Sequence, residues 1–206
     1  MAYKIIKDSS SFMGTNSYLI YEEDKKIAYI IDAASKAPKF VEIIKKYNLD
    51  LKYVFLTHGH YDHILEMDFW RNKYGAKIVC NESTKEYLED ISLNLSGILG
   101  TEFTSYADIF LKDNEGQFEI IKYIKTPGHT FDGIIYLVGN LIFSGDLIFK
   151  DSVGRTDFKG SNTQDLINSI RNIVYKFDDK TIILPGHGPS TTVGYEKINN
   201  PFVPLG

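Results

Sequence analysis

The sequence has one cysteine, Cys80, in 206 residues. A lone thiol cannot close an intramolecular disulfide or assemble a thiolate-rich zinc site, so any metal must be held by histidine and carboxylate. Long apolar runs are also missing. The apolar stretch Gly133 to Gly145 in the second half, without a charged residue, has 13 residues and includes Asn140, short of the ~20 that a spanning helix needs; no membrane partner is expected. Basic charge is not in excess, because 23 Lys and Arg against 27 Asp and Glu leave a net charge of −4 with both signs interspersed. That excludes the extended basic face that polyanions require, so no nucleic-acid partner is expected. The N-terminus, Met1 to Asp8, is charged from Lys4 onward and lacks the apolar core and cleavage site of a secretory signal, which makes the cytoplasm the expected location.

What is present is an ordinary globular composition, 43% hydrophobic, 14% aromatic and 24% charged, with enough chain to bury a core. Strands are predicted over 28–32, 52–57, 77–80, 118–126, 133–138, 141–144 and 181–184, all rich in Ile, Val, Tyr and Phe. Helices are predicted over 39–48, where Phe40, Ile43, Ile44 and Tyr47 follow helical spacing behind Pro38, over 62–74, closed by Gly75, and over 83–89 and 163–177. Strands and helices alternate along the whole length, which points to a single α/β domain over residues 1–206. Residues 89–108, rich in Ser, Gly and Thr, read as a long surface loop or mobile short helix, the form of a substrate-facing lid.

Four apolar strands run into polar ligand types, ending at Asp32, His58, Asp146 and His187, with Gly59, Gly128, Gly145, Gly186 and Gly188 beside the ligands. Glycine lets a loop approach a centre closely. All five histidines are His58, His60, His63, His129 and His187, and three fall in the window Thr57-His-Gly-His-Tyr-Asp-His63. A single histidine is ordinarily a solvated or hydrogen-bonded structural residue, but that reading does not explain a whole supply placed at glycine-flanked strand ends. In an extended segment His58 and His60 project to one side, while Asp62 and His63 open the next helix. One metal could take the first pair and a second metal the other, with His129, Asp146 and His187 completing the shells. A mononuclear structural zinc leaves too many of these seven ligands unused.

These runs, together with Pro127-Gly-His129, Ser144-Gly-Asp146 and Pro185-Gly-His187, resemble the metal motifs of the metallo-β-lactamase-fold hydrolases, in order and from residue 57 to 188. Ser152-Val-Gly-Arg-Thr-Asp157 and the tail from Thr191 to Phe202 resemble the short glyoxalase II-like branch. The resemblance implies a four-layer αβ/βα sandwich of two mixed β-sheets flanked by helices. It also implies that His58, His60 and His129 ligate one metal, that Asp62, His63 and His187 ligate a second, and that Asp146 bridges both. Asp62 and Asp146 are the carboxylates expected to act in catalysis. Asp32 matches an acidic strand-end residue that would orient a ligand histidine, and Arg155 could meet a substrate carboxylate, although an ordinary strand-end Asp and a loop salt bridge remain open for these two. The family often has small residues after its last motif histidine; here Ile64, Leu65 and Glu66 follow His63, with Glu66 expected in solvent. The chain ends 19 residues after His187, so the helical C-terminal domain with which full-length glyoxalase II grips glutathione is not expected.

The implied activity is hydrolysis of a small thioester, of the S-2-hydroxyacyl thiol kind, by a hydroxide held between two divalent metal ions, zinc ahead of iron or manganese. A thiolate leaves without protonation, and the sequence has no sixth histidine to serve as a general acid. Two alternatives stand beside it: a mononuclear-iron persulfide dioxygenase using His58, His129 and Asp146, and a lactone hydrolase. β-Lactam hydrolysis is not expected, because the zinc lactamases of one subclass carry cysteine where this chain has Asp146. The expected partner is a small-molecule substrate.

Overall fold

The computed structural model describes residues 3–205; Met1 and Ala2 of the charged N-terminus, and Gly206, lie outside the described residues. The chain divides into two compact units, one ending at Leu111 and one beginning at Lys112, and each is built on a mixed six-stranded sheet with helices. No helix among the described residues is long and apolar enough to cross a membrane.

The sheet of the first unit runs in chain order: β1 (Lys4–Ser9), β2 (Asn16–Glu22), β3 (Ile27–Ile31), β4 (Asp50–Phe55), β5 (Lys77–Asn81) and β6 (Ile109–Leu111). The pairs β1–β2 and β2–β3 are antiparallel, and β3 to β6 are parallel. Strands covered on both faces have no alternation to reveal them, so β2, buried from Asn16 to Tyr21 with polar Asn16 and Ser17 inside, escapes sequence patterning, as does the half-exposed edge strand β1. Helix α1 (Pro38–Tyr47) starts at Pro38 and ends at Asn48 in the left-handed region. It buries Phe40 and Ile44 in a core with Leu19, Ile30, Val54, Ile78 and Trp70.

The single helix predicted over 62–74 is two helices, α2 (Tyr61–Ile64) and α3 (Met67–Tyr74). The loop after β3 takes over their backbone pairing: Ala33 N donates to the His63 carbonyl at 2.7 Å, and Glu66 N donates to the Ala33 carbonyl at 2.8 Å. Both groups would otherwise serve a continuous helix. Glu66 is not simply in solvent either; its side chain is 25% exposed, and burial pushes its carboxyl up against the opposing pull of Lys36.

After α4 (Thr84–Glu89), residues 89–108 carry only one short 3-10 turn, Gly97–Leu99. The segment is irregular as expected but is pinned from within. Asn94, fully buried, donates to the carbonyls of Tyr87 and Phe103 and accepts from Ser96 N, while its own carbonyl accepts from Tyr61 N at 2.8 Å.

The sheet of the second unit has the order β14-β13-β10-β9-β8-β7, from β7 (Glu115–Phe118), β8 (Ile121–Lys125), β9 (Ile134–Val138), β10 (Leu141–Gly145), β13 (Ile182–Pro185) and β14 (Thr191–Thr192). Only β10 and β13 pair in parallel. The one strand predicted over 118–126 is therefore a hairpin of β7 and β8, turned at Glu119 with φ 55. A small hairpin, β11 (Ile148–Phe149) with β12 (Ser152–Val153), follows β10. Helix α5 (Thr163–Asn172), capped by the Asn162 side chain accepting from Asp165 N, stops short of the predicted Phe177 and passes into a 3-10 turn, Val174–Lys176. The last helix, α6 (Val193–Asn199), is capped by Thr192. Leu166, Ile170, Ile142, Ile183 and Val193 form the core of this unit.

Asn94→Ala removes the acceptor of Ser96 N and the donor to two carbonyls, that of Tyr87 in α4 and that of Phe103 within the segment. With a buried unsatisfied backbone group costing about 1–3 kcal/mol, the variant is expected to lose about 2–4 kcal/mol of stability. Chemical denaturation read by circular dichroism checks this, and a loss below about 0.5 kcal/mol would mean the segment is not held by this side chain.

Candidate metal centre

In the first unit, β3 and β4 are parallel neighbours, so their carboxyl ends deliver Asp32 and the Thr57-His58 run side by side. Asp32 takes φ 57, a left-handed conformation that Asp tolerates better than most residues, and this turns its carboxylate under the following loop. Oδ1 accepts from Thr57 N, and Oδ2 accepts from both Thr57 Oγ1 and His63 Nδ1, each at 2.8 Å. The tautomers follow. A carboxylate offers no proton, so His63 carries its own on Nδ1 and presents Nε2 as a lone pair. The single hydroxyl proton of Thr57 goes to Asp32, so the Thr57 oxygen accepts from His58 Nδ1 at 3.1 Å, and His58 likewise presents Nε2. One carboxylate thus sets two imidazoles, one directly and one through a threonine.

The four ligand candidates of this unit lie close together and are buried. The ring of His58 has its centroid 4.8 Å from that of His60 and 4.1 Å from that of His63, and His63 Nε2 is 3.5 Å from Asp62 Oδ2. His63 is 0% exposed. The break after Ile64 confines Asp62 and His63 to a single turn of helix, which keeps both beside the extended Gly59-His60 segment. Thr15, from the loop before β2, donates to Asp62 Oδ2, and the ring of Tyr87 meets His60 edge to face at 5.8 Å.

In the second unit, the parallel pair β10–β13 plays the part that β3–β4 plays in the first. Gly186 N donates to the Gly145 carbonyl at 2.8 Å, which ties the segment before His187 to the one before Asp146. His187 Nε2 is 3.4 Å and His129 Nε2 is 3.7 Å from the same atom, Asp146 Oδ2. His129 follows Gly128, whose φ of +148 and contact with α5, where an added Cβ would lie 2.3 Å from Leu166 Cα, admit no side chain. His129 Nδ1 donates to the backbone carbonyl of Arg155 at 2.8 Å. A carbonyl only accepts, so this ring too is fixed with its lone pair on Nε2. Gly154 is equally enforced, since a Cβ there would lie 1.9 Å from the Asp146 carbonyl oxygen.

Each unit therefore brings its sequence-predicted ligands together: His58, His60, Asp62 and His63 in the first, His129, Asp146 and His187 in the second. Asp32 lies under His63 and His58. The Arg155 side chain is engaged elsewhere, paired through Nε and Nη2 with Asp157 at 2.9 and 2.7 Å and set over the Phe158 ring at 4.3 Å. The guanidinium holds the Asp157 carboxyl below its ordinary range, but both side chains are about two-thirds exposed, 66% and 65%, where such pairs contribute little. Sequence reasoning passed over Thr57, Thr15 and the Arg155 carbonyl. Thr57 had a signal, its place beside the first histidine; a main-chain carbonyl has none.

The donor set, five imidazoles of which His58, His63 and His129 are buried with Nδ1 committed, with carboxylates beside them, suits a divalent cation. A family model described as the metallo-beta-lactamase superfamily matches residues 11–187. The chain is 34% identical over 195 residues to the probable metallo-hydrolase YqgX of Bacillus subtilis, covering 91% of this chain and 92% of that one. It is 34% identical over 198 residues to hydroxyacylglutathione hydrolase GloC of Haemophilus influenzae, with coverage of 91% and 92%. The crystal structure of BLEG-1 B3 metallo-beta-lactamase superposes with a TM-score of 0.90 at 32% identity, over 98% of this chain and 100% of that one. The chain belongs to the metallo-β-lactamase superfamily. It has that family's α/β fold, with two mixed sheets flanked by helices, and is a metallohydrolase of that fold.

Asp32→Asn is expected to weaken divalent-metal affinity by about 10- to 100-fold with the fold retained. Either amide orientation sets an NH2 group against an N–H donor: Thr57 N in one, His63 Nδ1 in the other. Competition with a chromophoric chelator measures the affinity; an unchanged value would show that Asp32 does not govern these ligands.

Proposed function

We propose that the two units act as one catalytic domain and that this chain is a binuclear, metal-dependent thioester hydrolase of the glyoxalase II kind. His58, His60 and His129 would hold one divalent cation, Asp62, His63 and His187 a second, with Asp146 shared. The observation that carries this reading is the convergence of His129 Nε2 and His187 Nε2 on Asp146 Oδ2, the placement a carboxylate needs to serve two metal shells at once. When bound, a pair of divalent cations supplies a nucleophile from water at neutral pH and polarises a carbonyl oxygen.

The residues of the chain supply position and tautomer. Asp32, Thr57 and the Arg155 carbonyl keep three imidazoles deprotonated at Nε2, so the ligands need not reorganise as a substrate arrives. Asp146 and Asp62 add two carboxylates. The thioester class is supported by similarity to a protein named hydroxyacylglutathione hydrolase and by leaving-group chemistry, since a thiolate, with a conjugate-acid pKa of about 8.5, departs without a proton donor. All five histidines are taken up as ligands in this reading, which leaves no imidazole for that task.

The test is metal analysis of the purified protein, zinc, iron and manganese included, followed by assays with an S-2-hydroxyacyl thioester, a lactone, a β-lactam and a persulfide. The β-lactam belongs in the panel because of the name carried by BLEG-1. Two equivalents of metal and preferred thioester cleavage are expected. One equivalent of iron with oxygen consumption on the persulfide overturns the proposal. On the thioester, kcat/KM should rise through about pH 7 and then level off; a fall between about pH 7.5 and 9 with metal still bound would reveal an essential acid. Asp146→Ala should lower kcat/KM by more than about 100-fold, about 3 kcal/mol. Arg155→Ala, which removes an exposed guanidinium, should change it by less than about tenfold.

A further inference from the structure

Helix α6 near the C-terminus contains Glu196, a carboxylate with 0% exposure that takes no part in the proposed metal shells. Its Oε1 accepts from Thr191 Oγ1 at 2.5 Å, and its Oε2 accepts from Asp151 N at 3.1 Å and from Asn200 Nδ2 at 2.9 Å. Asn200 Nδ2 also donates to the Ser152 carbonyl at 3.0 Å. The pair therefore grips the N–H of one residue and the C=O of the next in the turn of hairpin β11–β12. That turn is strained, since Asp151 sits at φ 59 without being glycine. Tyr175 fixes the clamp from behind, its hydroxyl donating to the Glu196 carbonyl at 3.0 Å. Burial, with the Glu196 charge adding to it, pushes that hydroxyl up to about 12, so it stays a donor.

The hairpin leads straight to the metal ligands. After β12 comes Gly154, packed on the Asp146 carbonyl with no room for a Cβ, and then Arg155, whose carbonyl accepts from His129 Nδ1. A shift of the hairpin by a fraction of an ångström moves that acceptor away from His129 and lifts Gly154 off Asp146. We infer that Glu196 and Asn200 are positioning residues for His129 and Asp146, acting through the β11–β12 hairpin to fix the His129 tautomer; this rests on the metal-ligand reading of His129.

Hydrogen-bond chemistry makes the inference testable. In Glu196→Gln the amide oxygen can replace Oε2 and still accept from Asp151 N and Asn200, while the NH2 group replaces Oε1 and donates to Thr191, whose hydroxyl can accept instead. Glu196→Met keeps the volume and loses every acceptor. Nitrogen-15 imidazole spectra of the metal-free protein at pH 8, with the His129 signal assigned by its loss in His129→Ala, should show protonated Nδ1 in the wild type and Glu196→Gln, and a mixture of tautomers in Glu196→Met. Zinc affinity by chelator competition should be within about twofold of wild type for Glu196→Gln and about tenfold weaker for Glu196→Met. If Glu196→Met does not fold, Asn200→Ala, which releases the Ser152 carbonyl, one donor to Glu196 and the acceptor of Phe202 N, should show a smaller change in the same direction. A Glu196→Met or Asn200→Ala protein with lowered Tm but wild-type His129 spectrum and zinc affinity overturns the inference. A wild-type protein that binds no divalent metal would refute the metal reading instead, and the His129 spectrum would still decide whether the clamp reaches the ring.

Discussion

An imidazole presents a lone pair at Nε2 only when its proton is held at Nδ1, and in this protein that condition is imposed by groups able only to accept or already committed to donating elsewhere. Asp32 imposes it on His63 directly and on His58 through Thr57; the Arg155 carbonyl imposes it on His129. Neither kind of acceptor has a proton to give, so the ring orientation and the protonation pattern are settled by the same contact. Most local features around the ligands serve these contacts: the left-handed turn at Asp32, the interrupted helix at Ile64, the side-chain-free positions 128 and 154, and the parallel strand pairs β3–β4 and β10–β13.

Two buried carboxylates, Asp32 and Glu196, differ in how much substitution they tolerate, and the difference lies in their donors. Asp32 faces a backbone N–H and an imidazole N–H, which cannot reverse, besides one hydroxyl. Glu196 faces a hydroxyl alone on one oxygen, with the two fixed donors on the other. An amide can therefore replace Glu196 and cannot replace Asp32, although both are buried carboxylates accepting three hydrogen bonds. Counting bonds does not distinguish them; the reversibility of each partner does.

The ligands were legible in the sequence because they sit in short motifs next to glycine, and the strands that carry them are continuous apolar runs. The support beneath them was only partly legible. Asp32 stood at a strand end where an ordinary Asp fits equally well, and the contact with His63 depends on a φ of 57 that no pattern announces. The helix over 62–74 kept its periodicity across the break, because the interruption comes from Ala33, a residue about thirty positions away competing for the backbone groups of His63 and Glu66. The hairpin at Glu119 was hidden by the absence of glycine or proline at its turn, and β2 by burial of both its faces. Residues 89–108 looked loose by composition, yet Asn94 satisfies their backbone internally. Apart from the turn at Glu119, where a local signal is missing, a tertiary partner overrode a local signal.

Strain and function meet at Asp32. A non-glycine residue in the left-handed region costs on the order of 1 kcal/mol, and glycine at the same place would remove that cost. It would also leave Thr57 N and His63 Nδ1 without an acceptor at buried positions, each at about 1–3 kcal/mol, and free the His63 and His58 rings to exchange tautomers. The hydrogen bonds outweigh the strain, so the strained aspartate is the more stable choice as well as the one that orients the ligands. At this position the demands of folding and of metal binding coincide, which removes the usual opposition between a stable core and a polar site placed within it.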